Sequence, residues 1–300
     1  MKTYDFLVIG SGIAGLMSAI KVASANNQAR VAVITKSEIT TSNTRMAQGG
    51  VAVTLNGTDA ALDQHVQDTL RAGAGLCNEP IVRMVVDEGA KRIQELIDWG
   101  VRFDQSMLHM YDLAREGGHS TSRILHHKDK TGEEIQRILL SKAHALSNIQ
   151  LLSHHHALDL IIEKTSGLSV CKGAHVLSVR SGEIQPFLAS VTLIATGGIG
   201  QIYPYSTNPV IATGDGIAMA LRARAKISGM EFIQFHPTAF YSSEKTNPVF
   251  LISEAVRGFG AYLMNNQHKR FMFRYDELGE LACRDRVALA IETEMNIAEI

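Results

Sequence analysis

Cysteine is scarce in this chain, and charge of either sign nowhere accumulates. Only Cys77, Cys171 and Cys283 occur in 300 residues, far apart and in no C-x-x-C pair. That spacing argues against a disulfide frame or a structural zinc site, and it suits a reducing compartment. Lys and Arg number 29 against 30 Asp and Glu, with no basic block, so neither nucleic acid nor a membrane surface is expected as a partner. Any attraction for anions must be local. No apolar run approaches the ~18 residues needed to span a bilayer. The opening Met-Lys-Thr-Tyr-Asp runs straight into an apolar strand, without the apolar region and cleavage site of a signal peptide, and a cytoplasmic location is expected. No fixed-period repeat is visible. What is present, 45% hydrophobic and 20% charged residues, suits one large globular domain, or one domain and part of a second.

Three polar or Gly-rich places stand out against that background. The first is Gly10-Ser11-Gly12-Ile13-Ala14-Gly15, between an apolar run from Tyr4 to Ile9 and a helical pattern from Ile13 to Ala25. With a further buried strand at 30–35 this is a β-α-β unit. G-x-G-x-x-G in that setting suits a pyrophosphate: Gly10 makes the turn, Gly12 clears the approach, Gly15 permits close packing, and the helix start supplies N–H donors. The competing reading is a plain tight turn. A dinucleotide site usually carries an acid about 20 residues further on, where this chain has Thr35-Lys36 and only Glu38 nearby. An unadorned NAD site is therefore disfavoured. Lys36 either serves adenosine hydroxyls and phosphates or is a solvated strand-end charge.

The second place is Arg115 to Gly132, too polar for a core and too dense in His, Arg and Glu for an idle loop. The third is Gln234-Phe235-His236-Pro237-Thr238. Between the three, Asn78 and Pro80 open a helix with an apolar stripe of Ile81, Val85, Ile93 and Leu96, closed by Gly100. A helix is expected over about 133–146, and β-like runs near 150–152, 157–162 and 174–179. A buried strand over 191–195 leads into Thr196-Gly197-Gly198, and a helix starts near Asp215. A boundary around 228–231 is expected, giving domains 1–228 and 229–300. His154-His155-His156 invites a metal, but strand neighbours face opposite ways; the triplet reads as a solvated strand edge, His126-His127 as loop residues, and no metal site is expected.

Ala47-Gln48-Gly49-Gly50, Ala195-Thr196-Gly197-Gly198, Thr213-Gly214-Asp215-Gly216, the Gln234 to Thr238 cluster, Ser253-Glu254 and Arg284-Asp285 occur in this order. The order resembles the flavoprotein family of succinate dehydrogenase, fumarate reductase and L-aspartate oxidase, over essentially the whole chain. The resemblance implies an α/β fold, a Rossmann-type FAD-binding domain with an incomplete α+β capping domain. It implies FAD held by Gly10, Ser11, Gly12, Ile13, Ala14, Gly15 and Lys36, by Asn43, Thr44, Arg45, Met46, Ala47, Gln48, Gly49 and Gly50, and by Ala195, Thr196, Gly197, Gly198 and Asp215. The respiratory members carry a flavin-bonded His five residues before the Gln of Ala-Gln-Gly-Gly. Asn43 stands there, which implies noncovalent FAD.

The aspartate-oxidising members carry Arg-Glu-x-x-His-Ser-x-x-Arg-Ile-Leu-His, matched from Arg115 to His126, whereas the dicarboxylate dehydrogenases lack the Glu. Glu116 is thereby expected to meet a substrate ammonium; the bland alternative pairs it with Arg115 or Arg123 on a surface. His236 would donate to a substrate carboxylate, with Thr238, Ser253 and Glu254 lining the same pocket. Arg284 aligns with the family's proton-transfer Arg. A guanidinium holds its proton above pH ~12, so that role needs an unusual site or a relay, and a carboxylate clamp is the alternative. The implied reaction is oxidation of L-aspartate to iminoaspartate, toward quinolinate and NAD, with oxygen or fumarate as acceptor and quinolinate synthase downstream. A soluble fumarate reductase and a non-catalytic fragment acting through protein contacts are the alternatives. Phe259 replaces the Glu usual in the family's Arg-Gly-Glu-Gly, Cys283 a Pro or small residue, and Ser253 a Thr. The relatives implied by the resemblance continue beyond Ile300, so the capping domain is expected to be incomplete.

Overall fold

The computed structural model describes residues 2–55, 57–244 and 246–298. The chain divides into two compact units that interleave in sequence. Met1–Met46, Gly132–Ile233 and Thr246–Pro248 make the first, and Ala47–Thr131, Gln234–Lys245 and Val249–Ile300 the second. This division differs from a single cut near residue 228, because 47–131 packs with the C-terminal stretch rather than with the N-terminal sheet.

The first unit is built on β1 (Lys2–Ile9), followed by α1 (Ile13–Ala25) and β2 (Val31–Ile34). Both faces of β1 and β2 are covered. Leu7, Ile9, Ala32 and Ile34 join Phe187 and Met219 on one side, while Val8, Val31 and Val33 meet Ala19 and Ala23 of α1 on the other. Strands buried on both faces read as unbroken apolar runs. After α2 (Asn43–Met46), β3 (Val51–Ala52), α3 (Asp59–Ala72), α4 (Glu79–Asp98), β4 (Leu113–Ala114) and β5 (Ile124–Leu125), the chain re-enters this unit through α5 (Thr131–His144). β6 (Ile149–Leu152), β7 (His155–Thr165), β8 (Leu168–Ser178) and β9 (Ile184–Ile194) complete a six-stranded sheet of order β6-β2-β1-β9-β8-β7. β6, β2, β1 and β9 run parallel, and β9, β8 and β7 form an antiparallel meander. The α/β reading holds. The expected strand at 191–195 is the end of a longer one, and it is not buried, since Val191 and Leu193 are exposed.

The second unit contains α3 and α4, the small antiparallel sheet β3-β5-β4, and later α7 (Glu254–Gly258) and α8 (Arg284–Ile297); α6 (Asp215–Arg222) belongs to the first. The Asn78 side chain accepts from the Ile81 N–H, capping α4 as expected. The stripe assigned to α4 is half right. Ile93 and Leu96 are buried with Val86, but Ile81 and Val85 are 51% and 61% exposed. Val85 and Leu96 lie only about 20° apart around the helix, so the exposed and buried members differ in the turn of α4 they occupy rather than in face. Among the described residues no helix is long and apolar enough to cross a membrane.

Candidate functional site

In the first unit, β1 ends in a turn that only glycine permits. Gly10 sits at φ +121°, where a Cβ would lie 2.1 Å from the Ala195 carbonyl oxygen, and a Cβ on Gly15 would lie 1.9 Å from that of Gly10. These contacts bring the start of α1 against the ends of β1 and β9. Gly12 caps α1 with no side-chain bond and no acid follows in the first turn, so the helix start keeps its partial positive charge. Ile13 N–H donates to Thr44 Oγ1 at 2.9 Å, and the buried Ser11 Oγ finds no partner among the described residues. The turn forms part of the wall of a cavity of about 760 Å³.

Lys36, at the end of β2, also lines this cavity and is not a free strand-end charge. Its Nζ lies 2.5 Å from both Asp215 Oδ2 and Thr213 Oγ1. His156 Nε2 approaches the same Asp215 oxygen at 3.1 Å. Burial pushes the Asp215 carboxyl up, but hydrogen bonds from Lys36 and Thr213 with the Lys36 charge outweigh it and hold it below the usual range. An acid thus stands beside Lys36 after all, contributed by the start of α6 rather than by the stretch after β2. The His triplet is not simply solvated: β7 is an edge strand, yet His154 contacts Glu38 at 2.8 Å, and His155 and His156 line the cavity wall.

In the second unit, a group of carboxylates and guanidiniums gathers around Arg284, the first residue of α8. Its Nε donates to Glu254 Oε2, its Nη1 donates to Gln234 Oε1 at 3.0 Å, and its Nη2 lies 3.6 Å from Glu116 Oε2. Glu254 is buried and its other oxygen accepts from the Gly117 N–H at 3.0 Å, with Arg257 Nη2 at 3.7 Å. Arg257 is buried as well. Its Nη1 donates to the Glu280 carbonyl at 2.8 Å, while Nε and Nη2 make no hydrogen bond among the described residues. Glu116 is pushed above the ordinary carboxyl range by burial and the Glu254 charge, against the opposing pull of Arg284. A surface pair with Arg115 or Arg123 does not occur. Arg115 Nε donates to the His119 carbonyl at 2.8 Å and Arg123 Nη1 to Asp68 at 2.7 Å.

His236 presents Nδ1 to the backbone of Thr238, 3.2 Å from its nitrogen and 3.0 Å from its oxygen. Burial and the Arg284 charge push the imidazole below its usual pKa, so it is neutral near pH 7. The Thr238 hydroxyl donates to the Ile252 carbonyl at 3.0 Å, and Ser253 caps α7 through Ala255 N–H.

The FAD binding domain pattern matches residues 5–300. The chain belongs to this family of FAD-binding domains. It is 49% identical to the chloroplastic L-aspartate oxidase of Arabidopsis thaliana, over 98% of this chain and 46% of that protein. It is 46% identical to the L-aspartate oxidase of Pseudomonas aeruginosa, over 97% of this chain and 55% of that one. The chain spans about half the length of the curated relatives it matches. Among solved structures, the E. coli quinol fumarate reductase FrdA chain superposes with TM-score 0.88 at 30% identity, over 99% of this chain and 52% of that one. Sdh1 of Mycobacterium smegmatis superposes with TM-score 0.77 at 33% identity, over 99% of this chain and 51% of that one.

The residues of the first unit fit FAD. A helix start whose cap, Gly12, offers no side-chain acceptor, with an orphaned buried hydroxyl beside it, matches the needs of a diphosphate. Gly10, Ser11, Gly12, Ile13, Ala14, Lys36, Asn43, Thr44, Ala195, Thr196, Gly197 and Asp215 all line the cavity. Four FAD residues expected in this unit do not. Gly15 packs on Gly10 instead, and Arg45 turns outward to Glu133 at 2.9 Å. Met46 and Gly198 are exposed. Ala47, Gln48, Gly49 and Gly50 fall in the second unit, where the Gln48 Oε1 is buried without a partner among the described residues. Gly49 and Gly50 border Glu116: a Cβ on Gly49 would lie 3.2 Å from Glu116 Oε1, and the Gly50 backbone hydrogen-bonds the carboxylate. Phe259, in place of the family's usual Glu, is 89% exposed at the end of α7. Sequence reading assigned no role to Asp68, Arg257 or His119; Arg257 and His119 lay within recognised motifs, and Asp68 within none.

Proposed function

We propose that the whole protein oxidises L-aspartate to iminoaspartate with FAD. The observation that carries this is Glu116, a half-buried carboxylate in contact with Arg284 and close enough to Glu254 to feel its charge. A dicarboxylate without an amino group has no use for it, whereas an ammonium would be paired by it. FAD, held by the Gly10 turn and the Lys36–Asp215 pair, supplies the acceptor for the hydride that leaves Cα. The substrate ammonium gives up one proton as that hydride departs, so a proton acceptor is needed beside the nitrogen.

Arg284 is a poor base alone. In contact with Glu254, itself beside Arg257, it belongs to a chain of groups along which a proton moves without leaving an isolated charge. In the tautomer whose Nδ1 accepts from the Thr238 amide, His236 carries its proton on Nε2, a donor for a substrate carboxylate. Thr238 and Ser253 would complete that site, although the Thr238 hydroxyl donates to the Ile252 carbonyl and the Ser253 oxygen accepts from the Ala255 N–H. Oxygen or fumarate would then take the electron pair, giving hydrogen peroxide or succinate, and quinolinate synthase would consume the imine in a cytoplasmic reaction.

Glu116→Gln is expected to weaken kcat/KM for L-aspartate about 100-fold, the value of one charged hydrogen bond, and to change fumarate reduction little. Equal losses in both assays would remove the reading. A pH profile adds an independent check. Glu116 must be ionised to pair with an ammonium, and its pKa in the free site is raised. kcat/KM for aspartate therefore falls on acidification at a higher pH than an ordinary carboxyl would give, and Glu116→Gln abolishes that limb. Asn43 offers no imidazole nitrogen for a flavin bond, so acid precipitation of the holoprotein should leave the yellow colour in the supernatant. Colour retained in the pellet would contradict noncovalent attachment.

A further inference from the structure

The loop that carries Glu116 is fastened at a point no role has yet explained. Asp68, in α3, is almost wholly buried, and one of its oxygens, Oδ2, collects three donors. They are the Ser120 N–H at 2.9 Å, the Ser120 hydroxyl at 2.6 Å and Arg123 Nη1 at 2.7 Å. Arg123, equally buried, spends its Nη2 on the Thr121 hydroxyl at 2.8 Å. Gln64 donates to the other oxygen at 3.1 Å. Two charges have been taken out of water to hold loop positions 120, 121 and 123. A buried ion pair is costly to make and seldom improves on apolar packing, so its presence calls for a reason other than stability.

From this anchor the loop runs back to Glu116 in few steps. The Arg115 side chain bonds the His119 carbonyl, the His119 N–H donates to the Glu116 carbonyl at 3.3 Å, and the Gly117 N–H binds Glu254. The Glu116 carboxylate thus stands between two fixed points, Asp68 on one side and the Glu254–Arg284 pair on the other. The imidazoles nearby add no competing charge. His65, one turn before Asp68 in α3, is pushed down to about 4 by burial and by Arg123, and His119, 6.1 Å from it ring to ring, is lowered for the same reasons.

We infer that Asp68 is a positioning residue that sets the place of Glu116, and through it the preference for a dicarboxylate bearing an ammonium over one without. The inference rests on the role of Glu116 proposed above. Asp68 touches no substrate in this scheme; it acts through residues 116–120.

The test is a double-mutant cycle in the full-length, FAD-loaded protein, with KM for L-aspartate and the inhibition constant of succinate as paired readouts. Asp68→Asn is expected to raise KM for aspartate about tenfold, the equivalent of one misplaced charged contact, with succinate changed less than about twofold. In a Glu116→Gln background the same substitution should change neither. Ser120→Ala keeps the ion pair and loses the 2.6 Å bond to Asp68 together with a 3.4 Å bond from Arg123 Nη2, so it serves if Asp68→Asn fails to fold; about a threefold, aspartate-only effect is expected, again absent without Glu116. Equal weakening of aspartate and succinate, or an effect that persists in Glu116→Gln, overturns the positioning role alone. Unchanged selectivity in Glu116→Gln itself overturns the reading of Glu116 and this inference with it.

Discussion

Arg284→Lys is expected to lower turnover of L-aspartate by about a thousandfold or more, within the range that positioned proton transfer contributes, while flavin stays bound. Lysine keeps the charge but loses the fork. Arg284 uses three nitrogens in three directions, toward Glu254, Gln234 and Glu116, and a single ammonium on a flexible stem cannot meet all three. Two buried or half-buried carboxylates would then face one another with less between them, and the Glu116 carboxyl would rise further, as its dependence on Glu254 indicates. Anaerobic mixing with L-aspartate, following flavin bleaching, reads the chemical step directly. A rate within about tenfold of the parent would leave Arg284 as no more than a carboxylate clamp, for which one charge nearly suffices.

Gly10→Ala is expected to abolish flavin retention, with affinity down on the order of 100-fold, the loss of one or two charge-assisted bonds at the helix start. The added methyl would fall 2.1 Å from the Ala195 oxygen and 2.7 Å from its carbon, both backbone atoms between paired strands, at a φ that alanine rarely adopts. Either β9 or the turn must move, and the turn is what aims the N–H groups. Gly198→Ala is the control. Nothing lies within 4 Å of a Cβ there and its φ is unremarkable, so flavin affinity should stay within about threefold of the parent. Absorbance of the purified proteins separates the two. Full flavin content in Gly10→Ala would show that the turn tolerates displacement and is not what holds the diphosphate.

What could be read from the sequence was local. β1, the glycine turn and α1 are contiguous, and burial on both faces gave the end of β1, Phe6 to Ile9, and the whole of β2 an apolar signature. The Lys36–Asp215 pair is 179 residues apart in the chain, and no periodicity links a lysine after one strand to an aspartate opening a distant helix. α3 escaped notice for a different reason. Its buried positions are His65, Val66 and Asp68, so the face turned inward is largely polar and the apolar repeat that betrays a helix is missing. That polarity is the Asp68 anchor itself. Glu116 and Arg284 were each singled out by motif, but the motif did not reveal that Arg284 is already occupied by Glu254, nor that Glu254 leads on to Arg257.

The interleaving of the two units bears on how the chain is made. Thr131 leaves the ribosome well before Gln234, and at about 5–20 residues per second the roughly one hundred intervening residues take on the order of 5–20 s to add. Through that interval the 47–131 segment can close the Asp68–Arg123 contact, because both partners are present. It cannot bring Arg284 to Glu116. The nascent second unit therefore waits, half assembled, with the Glu116 carboxylate still without its Arg284 partner, a form prone to association with other half-made chains.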